Sequence, residues 1–156
     1  MYKRQQYPDF KIVTEQADND DKEKATQLTE AILAQYPDID IIFGGDGSAG
    51  VGAGIAVQAA IDAGQIPAGQ VKISDYCLTN DSQTSLEANQ VTAITDYSPY
   101  YEGYYTVMIA AQQFFNGIDL QNIEIPFGVV TLENLDGYSA EYKQICVDNG
   151  VEYWNK

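Results

Sequence analysis

Short apolar runs alternate along the chain with longer segments of helical period. "KIVTEQ" at 11–16 predicts a first strand, and "DNDD" at 18–21 a turn rich in helix N-cap residues. Ala25, Leu28, Ile32 and Tyr36 then share one face of a helix over 22–36, which Pro37 ends. "IDIIF" at 39–43 predicts a second strand, followed by an Ala/Gly-rich helix from about 48 to 63 that Gly64 and Pro67 stop. "VKIS" at 71–74 reads as a third strand, a short helix near 82–89 follows, and "VTAIT" at 91–95 reads as a fourth strand. Pro99 suits the first turn of a long helix. That helix carries Tyr104, Met108, Ala111 and Phe115 inward and closes at Asn116-Gly117. "IEIPFGVVT" at 123–131 is a fifth extended segment, with Pro126 marking it as an edge or crossing strand. A last helix is expected over about 140–149.

Strands that alternate with crossover helices give an α/β protein. The expectation is a doubly wound, mostly parallel sheet of about five strands with helices on both faces, in one domain spanning 1–156. Such sheets bind ligands beyond the carboxyl ends of their strands. Here those ends are 18–21, 45–48, 75–80, 96–99 and 131–136, so functional polar groups should lie there.

Composition narrows the partners. Eight basic residues against 23 acidic ones give a formal net charge of −15, with no histidine and Arg4 as the only arginine. A nucleic acid or an anionic membrane surface needs a basic face that this chain lacks. No run of residues is long and apolar enough to argue a membrane span. "MYKRQQYPDF" has a basic start with no apolar core after it, so either the chain is cytosolic or its export signal lies outside this sequence. Cys77 and Cys146 are too few for a disulfide framework; they read as two thiols, one in a loop and one on the last helix, with pairing as the alternative.

The stretch "FGGDGSAGVGAG" admits several chemistries. Gly45, Gly47 and Gly50 satisfy the G-x-G-x-x-G dinucleotide pattern, but Asp46 sets a carboxylate where a pyrophosphate would sit. The same residues resemble the GGDG[ST] loop of phosphofructokinases and of lipid and NAD kinases. That resemblance implies Mg²⁺-nucleotide binding at 44–48. It covers only ten residues, and phosphoryl transfer also wants cations that this neighbourhood does not supply. Alternatively the glycines only permit a tight turn and close helix–sheet packing, which leaves Asp46 at the strand end unexplained.

Over 11–134 the order of segments resembles the C-terminal lobe of the sugar-binding periplasmic proteins of type I fold, the substrate-binding proteins of ABC importers. Lactose-repressor-type effector domains share that fold. The acidic turn "DNDD", the approach "YPDIDIIF", the Ala/Gly-rich helix, "VKISDYCLTND", "VTAITDYSPYYEGYYTVMIAAQQFFNG" and "IPFGVVTLENLD" follow the family's order. The resemblance implies ligand contacts from Asp46, Asp75 and Asp96 at three successive strand ends, from Asn19 in the acidic turn, and from aromatic rings such as Tyr76 and Tyr97. Tyr100 and Tyr101 lie in the same loops. A carboxylate accepts strong hydrogen bonds from hydroxyls or an amine without any proton shuttle. Each of these Asp residues can instead be a turn residue or a helix cap, and Asn19 and its neighbours can be caps as well.

The expected function is therefore binding without catalysis, with neither cofactor nor resident metal. Three carboxylates could hold Ca²⁺ or Mg²⁺ or serve glycoside hydrolysis, but nothing sets one apart as acid from another as base. The resemblance implies a sugar or polyol ligand, an ABC importer permease or a sensor as partner, and a periplasmic or cell-surface lipoprotein location. It also implies a second, N-terminal lobe that this chain does not contain. The alternatives are a GGDGS-loop phosphotransferase and the effector-binding domain of a transcriptional regulator.

Overall fold

The computed structural model describes residues 7, 9–120, 122–125 and 127–148. Pro126, the final residues from 149 on and the Cys146 side chain lie outside the described residues.

Among the described residues, five helices and four strands follow in the order α1 (Lys22–Gln35), β1 (Ile41–Phe43), α2 (Ala49–Asp62), β2 (Lys72–Tyr76), α3 (Asn80–Glu87), β3 (Ala93–Asp96), α4 (Pro99–Asn116), β4 (Gly128–Val130) and α5 (Leu135–Asp148). The strands lie side by side in chain order, with β1, β2 and β3 parallel and β4 antiparallel to β3. The α/β class and the mostly parallel sheet agree with the sequence pattern. Four strands form where five were expected, because 11–16 runs without a ladder among the described residues. Phe10, Ile12 and Val13 there stay exposed. The last helix begins at Leu135, earlier than its apolar spacing predicts, because Asn134 turns the chain: its side chain accepts from the Thr131 N–H and donates to the Val129 carbonyl.

Burial follows the strand period of two. Ile73 and Asp75 on β2, Ile94 and Asp96 on β3, and Val130 on β4 are buried, while their alternates are half-buried or exposed. Helices α2 and α3 pack over the sheet, and α1 packs on α2. Ala53, Val57, Ala60, Leu86, Val91 and Leu135 complete the core. Helix α4 contributes no fully buried residue, and Ile41, Phe43 and Val129 on the alternate positions of the sheet are exposed.

Three local features fix the edge that matters for function. Asp21 caps α1 by accepting from the Lys24 N–H at 3.0 Å. Gly52 lets α1 and α2 touch: a Cβ there would fall 2.6 Å from the Ala25 Cβ and from the Lys22 carbonyl oxygen. The contact is closed by the Thr26 hydroxyl, which lies 2.9 Å from the Lys22 carbonyl and 3.2 Å from that of Gly52. Thr79 and Ser82 form a reciprocal capping box at the start of α3. The chain turns after β1 and after β2 thus sit at one end of the sheet, each anchored by the helix it opens.

Candidate functional site

At the carboxyl ends of β1, β2 and β3 lies an open cleft of about 580 Å³, within the range of small-molecule sites. Its walls are Gly45–Ser48 from the β1–α2 turn, Tyr76 and Cys77 from the end of β2, Thr79–Asp81 from the start of α3, Tyr97 after β3, and Asp20 from the turn before α1. Among the described residues, no Lys or Arg lines it. Lys22 pairs with Asp81 at 2.6 Å, but both are largely solvent-exposed.

Asp46 lies in the turn after β1 and bends back onto α2. Its Oδ1 accepts from the N–H groups of Ser48 at 3.0 Å and Ala49 at 2.8 Å. The next N–H, that of Gly50, donates to Asp75 Oδ1 at 3.0 Å. Two carboxylates from adjacent strand ends therefore occupy the N-terminus of α2. A nucleotide phosphate would need those same donors, so this turn is not the phosphate cradle that its G-x-G-x-x-G spacing or its likeness to the GGDGS kinase loop would imply.

The three carboxylates do not converge on one surface. Asp46 lines the cleft, whereas Asp75 and Asp96 are fully buried. The reason is strand alternation: Asp75 follows Ile73, and Asp96 follows Ile94, onto the covered face. Asp96 accepts from the N–H groups of Leu78 at 3.2 Å and Ser98 at 3.3 Å and from the Tyr138 hydroxyl at 3.3 Å. It thereby ties α5 and the turns after β2 and β3 to the sheet. Asp75 has one oxygen bonded to Gly50, while Oδ2 is buried without a partner. Burial pushes its carboxyl up to about 7, against the opposing pull of the Tyr76 and Gly50 N–H groups; the nearby Asp46 charge raises it further.

Tyr76 and Tyr97 form the aromatic part of the wall, stacked with ring centroids 5.1 Å apart and planes 12° from parallel. The Cys77 thiol donates to the Tyr97 hydroxyl at 3.7 Å. Desolvation raises the Cys77 thiol above its ordinary range, and the Asp96, Asp75 and Asp20 charges add to this against the Tyr97 bond. Tyr97 is pushed up to about 12, chiefly by its bond to Cys77. Cys77 is a free thiol, and at neutral pH it stays protonated and a poor nucleophile.

Of the residues singled out in the sequence, Asp46, Tyr76 and Tyr97 meet at the cleft. Asn19 is exposed at a positive φ of 62° just outside it, and its neighbour Asp20 takes the place at the wall. The sequence pattern assigns no ligand role to Cys77, Thr79, Asn80 or Asp81, although it places functional groups at the 75–80 strand end. Strand β2 runs two residues beyond its apolar stretch and so delivers "YCLTND" to the rim. Among the described residues no group of three or more Cys, Asp or Glu could hold a metal ion.

An α/β lobe with a mostly parallel sheet and a cleft at its carboxyl edge has the architecture of one lobe of the type I periplasmic-binding fold. The family follows from comparison: the model of the periplasmic binding protein domain matches residues 2–117, and the chain belongs to that family. Among solved structures, it is 27% identical to an ABC transporter periplasmic solute-binding protein from Actinobacillus succinogenes 130z with bound D-allose, over 86% of this chain and 46% of that one, at a TM-score of 0.73. It is 25% identical to the Caulobacter myo-inositol binding protein bound to myo-inositol, over 84% of this chain and 44% of that one, at a TM-score of 0.71. A solute-binding protein from Agrobacterium vitis with bound α-D-tagatopyranose shares the fold at a TM-score of 0.75 and 24% identity, over 90% of this chain and 46% of that one. The chain spans less than half the length of each of these structures. No curated protein matches it at a significant level.

Proposed function

We propose that this chain is one lobe, the C-terminal one, of an extracytoplasmic solute-binding protein that takes a sugar or related polyhydroxy ligand for ABC import or for sensing. The observation that carries the reading is the cleft itself. Stacked Tyr76 and Tyr97 offer an apolar platform, and Asp20, Asp46, Thr79, Asn80 and Asp81 offer oxygen acceptors and amide or hydroxyl donors beside it. That mixture suits a ring with one apolar face and an edge of hydroxyls. The bound sugars and inositol of the related structures support it.

In this reading Asp46, Tyr76 and Tyr97 contact the ligand, the Asn19–Asp20 turn closes one side, and Asp75 and Asp96 hold the walls from beneath. The role is binding and delivery, without catalysis or cofactor. A second lobe would close over the ligand, and an importer permease or a sensor would receive it. Half a site binds weakly, because the ligand keeps much of its hydration and gains half the contacts.

The test is a ¹⁵N–¹H NMR titration of the chain with neutral sugars, inositols and polyols at tens of millimolar, alongside Mg²⁺-ATP. The expected result is amide shifts confined to Gly45–Ser48, Tyr76–Asn80 and Tyr97 with at least one neutral polyhydroxy ligand, reduced in Tyr97→Ala. Shifts in the β1–α2 turn with Mg²⁺-ATP alone, or no cleft response to any neutral ligand, would overturn the reading.

A further inference from the structure

The N-terminus of α2 is held by two carboxylates of very different exposure. Asp46 sits in the cleft wall and takes the N–H groups of Ser48 and Ala49. Asp75 lies beneath and takes that of Gly50. Glycine backbone seals Asp75 from the cleft: a Cβ on Gly50 would lie 2.3 Å from the Asp75 Cγ, and one on Gly44 would lie 2.9 Å from its Oδ1. The sealed carboxyl has one oxygen bonded and the other, Oδ2, buried without a partner.

That arrangement suits a neutral acid. The bonded Oδ1 still accepts from Gly50, and the proton rides on Oδ2, where an unpartnered O–H costs far less than an unpartnered charged oxygen. Among the described residues, no cation faces it to offset ionisation. From the β1–α2 turn comes the Asp46 carboxylate; from β2 itself come the Tyr76 N–H and the Cys77 thiol, a thiol that also feels Asp96 of β3; from α2 comes the Gly50 N–H with the positive end of the helix dipole. An ionised Asp75 would place a second negative charge under Asp46 at one helix terminus already saturated by carboxylate. Two routes relieve it: lifting the turn so that water reaches Oδ2, or taking up a proton.

We infer that Asp75 is a buried proton latch for the cleft wall: protonated, it lets the Gly44–Ser48 turn seat on it and hold Asp46 in place; ionised, it drives that turn outward and lets water in. The consequence for ligand uptake rests on the function proposed above; the latch itself does not, and it can be read in the free chain.

The experiment is a pH series of ¹⁵N–¹H spectra and amide exchange on the free chain, with the Asp75 side-chain carboxyl followed by ¹³C. The expected result is a common midpoint close to neutrality for the Asp75 carboxyl and the Ser48 and Gly50 amides. Exchange over Gly44–Ser48 should rise roughly tenfold beyond the intrinsic base-catalysed increase across that midpoint, as for a local opening. Asp75→Asn should abolish the transition. Asp46→Asn should keep it but move it to lower pH, since one repelling charge is gone. A carboxyl midpoint in the ordinary Asp range overturns the latch, as does a transition that survives Asp75→Asn. If that variant does not fold, the wild-type ¹³C titration with the Asp46→Asn shift decides alone.

Discussion

At Asp75, burial outweighs hydrogen bonding, and the sign of the pH effect follows. The folded chain binds this proton more tightly than the unfolded chain, whose carboxyl has the ordinary value of 3.8. The stabilisation is whole below that value and is lost as pH rises through about 7. Its ceiling is about 4 kcal/mol. Urea unfolding of wild type and Asp75→Asn between these limits should show a stability difference that shrinks with rising pH; a constant difference would contradict the assignment. Gly50 is the companion position. Its replacement by Ala presses a methyl into the Asp75 carboxyl, and a loss of at least about 2 kcal/mol is expected. Gly45→Ala, in the turn before α2, meets nothing within 4 Å and should stay within about 0.5 kcal/mol on the same denaturation curves.

The helices that open at the cleft are defined by their caps, so their ends are the sensitive places. Asp46→Ala removes the acceptor for two N–H groups and should cost about 1 kcal/mol by thermal or urea unfolding. Lys22→Ala breaks a 2.6 Å ion pair to Asp81, yet both side chains are water-exposed. It should cost less than about 1 kcal/mol, and added salt should erase the difference. Legibility in the sequence divides along the same line. Pro37 and Pro99 punctuate helices by backbone restriction, Gly64 and Gly117 by their freedom to take a positive φ; both are local properties, and those helix ends appear where expected. The 11–16 segment has strand-like composition, but a strand also needs a neighbour to complete its ladder, and composition does not supply one. Likewise the strand-end positions of Asp75 and Asp96 were legible, while their direction was not. Whether a carboxylate faces the cleft or the covered side depends on a register of one residue, which Ile73 and Ile94 settle by entering the core.

For the molecule as a whole, the core and the surface carry different weights. Leu86 and Ile94 are wholly buried, and Ala at either should cost about 2–5 kcal/mol. Phe114 is 83% exposed at the end of α4 and Phe115 77%; Ser at both should leave unfolding nearly unchanged while lowering binding of an apolar dye, a pairing that separates surface stickiness from stability. A formal net charge of −15 keeps copies apart in dilute buffer and is screened within about 10 Å at moderate salt. Self-association through such apolar patches should therefore grow as salt is added, which sedimentation would register.

The Tyr76–Tyr97 pair has one more consequence, an optical one. Two phenol rings 5.1 Å apart and nearly parallel are coupled chromophores, and their near-ultraviolet circular dichroism depends on spacing and tilt. Because both rings face the cleft, a solute that wedges against either one alters the signal without any attached label. The protein thus carries its own gauge of occupancy, readable in a cuvette and cancelled by replacing a single ring with leucine.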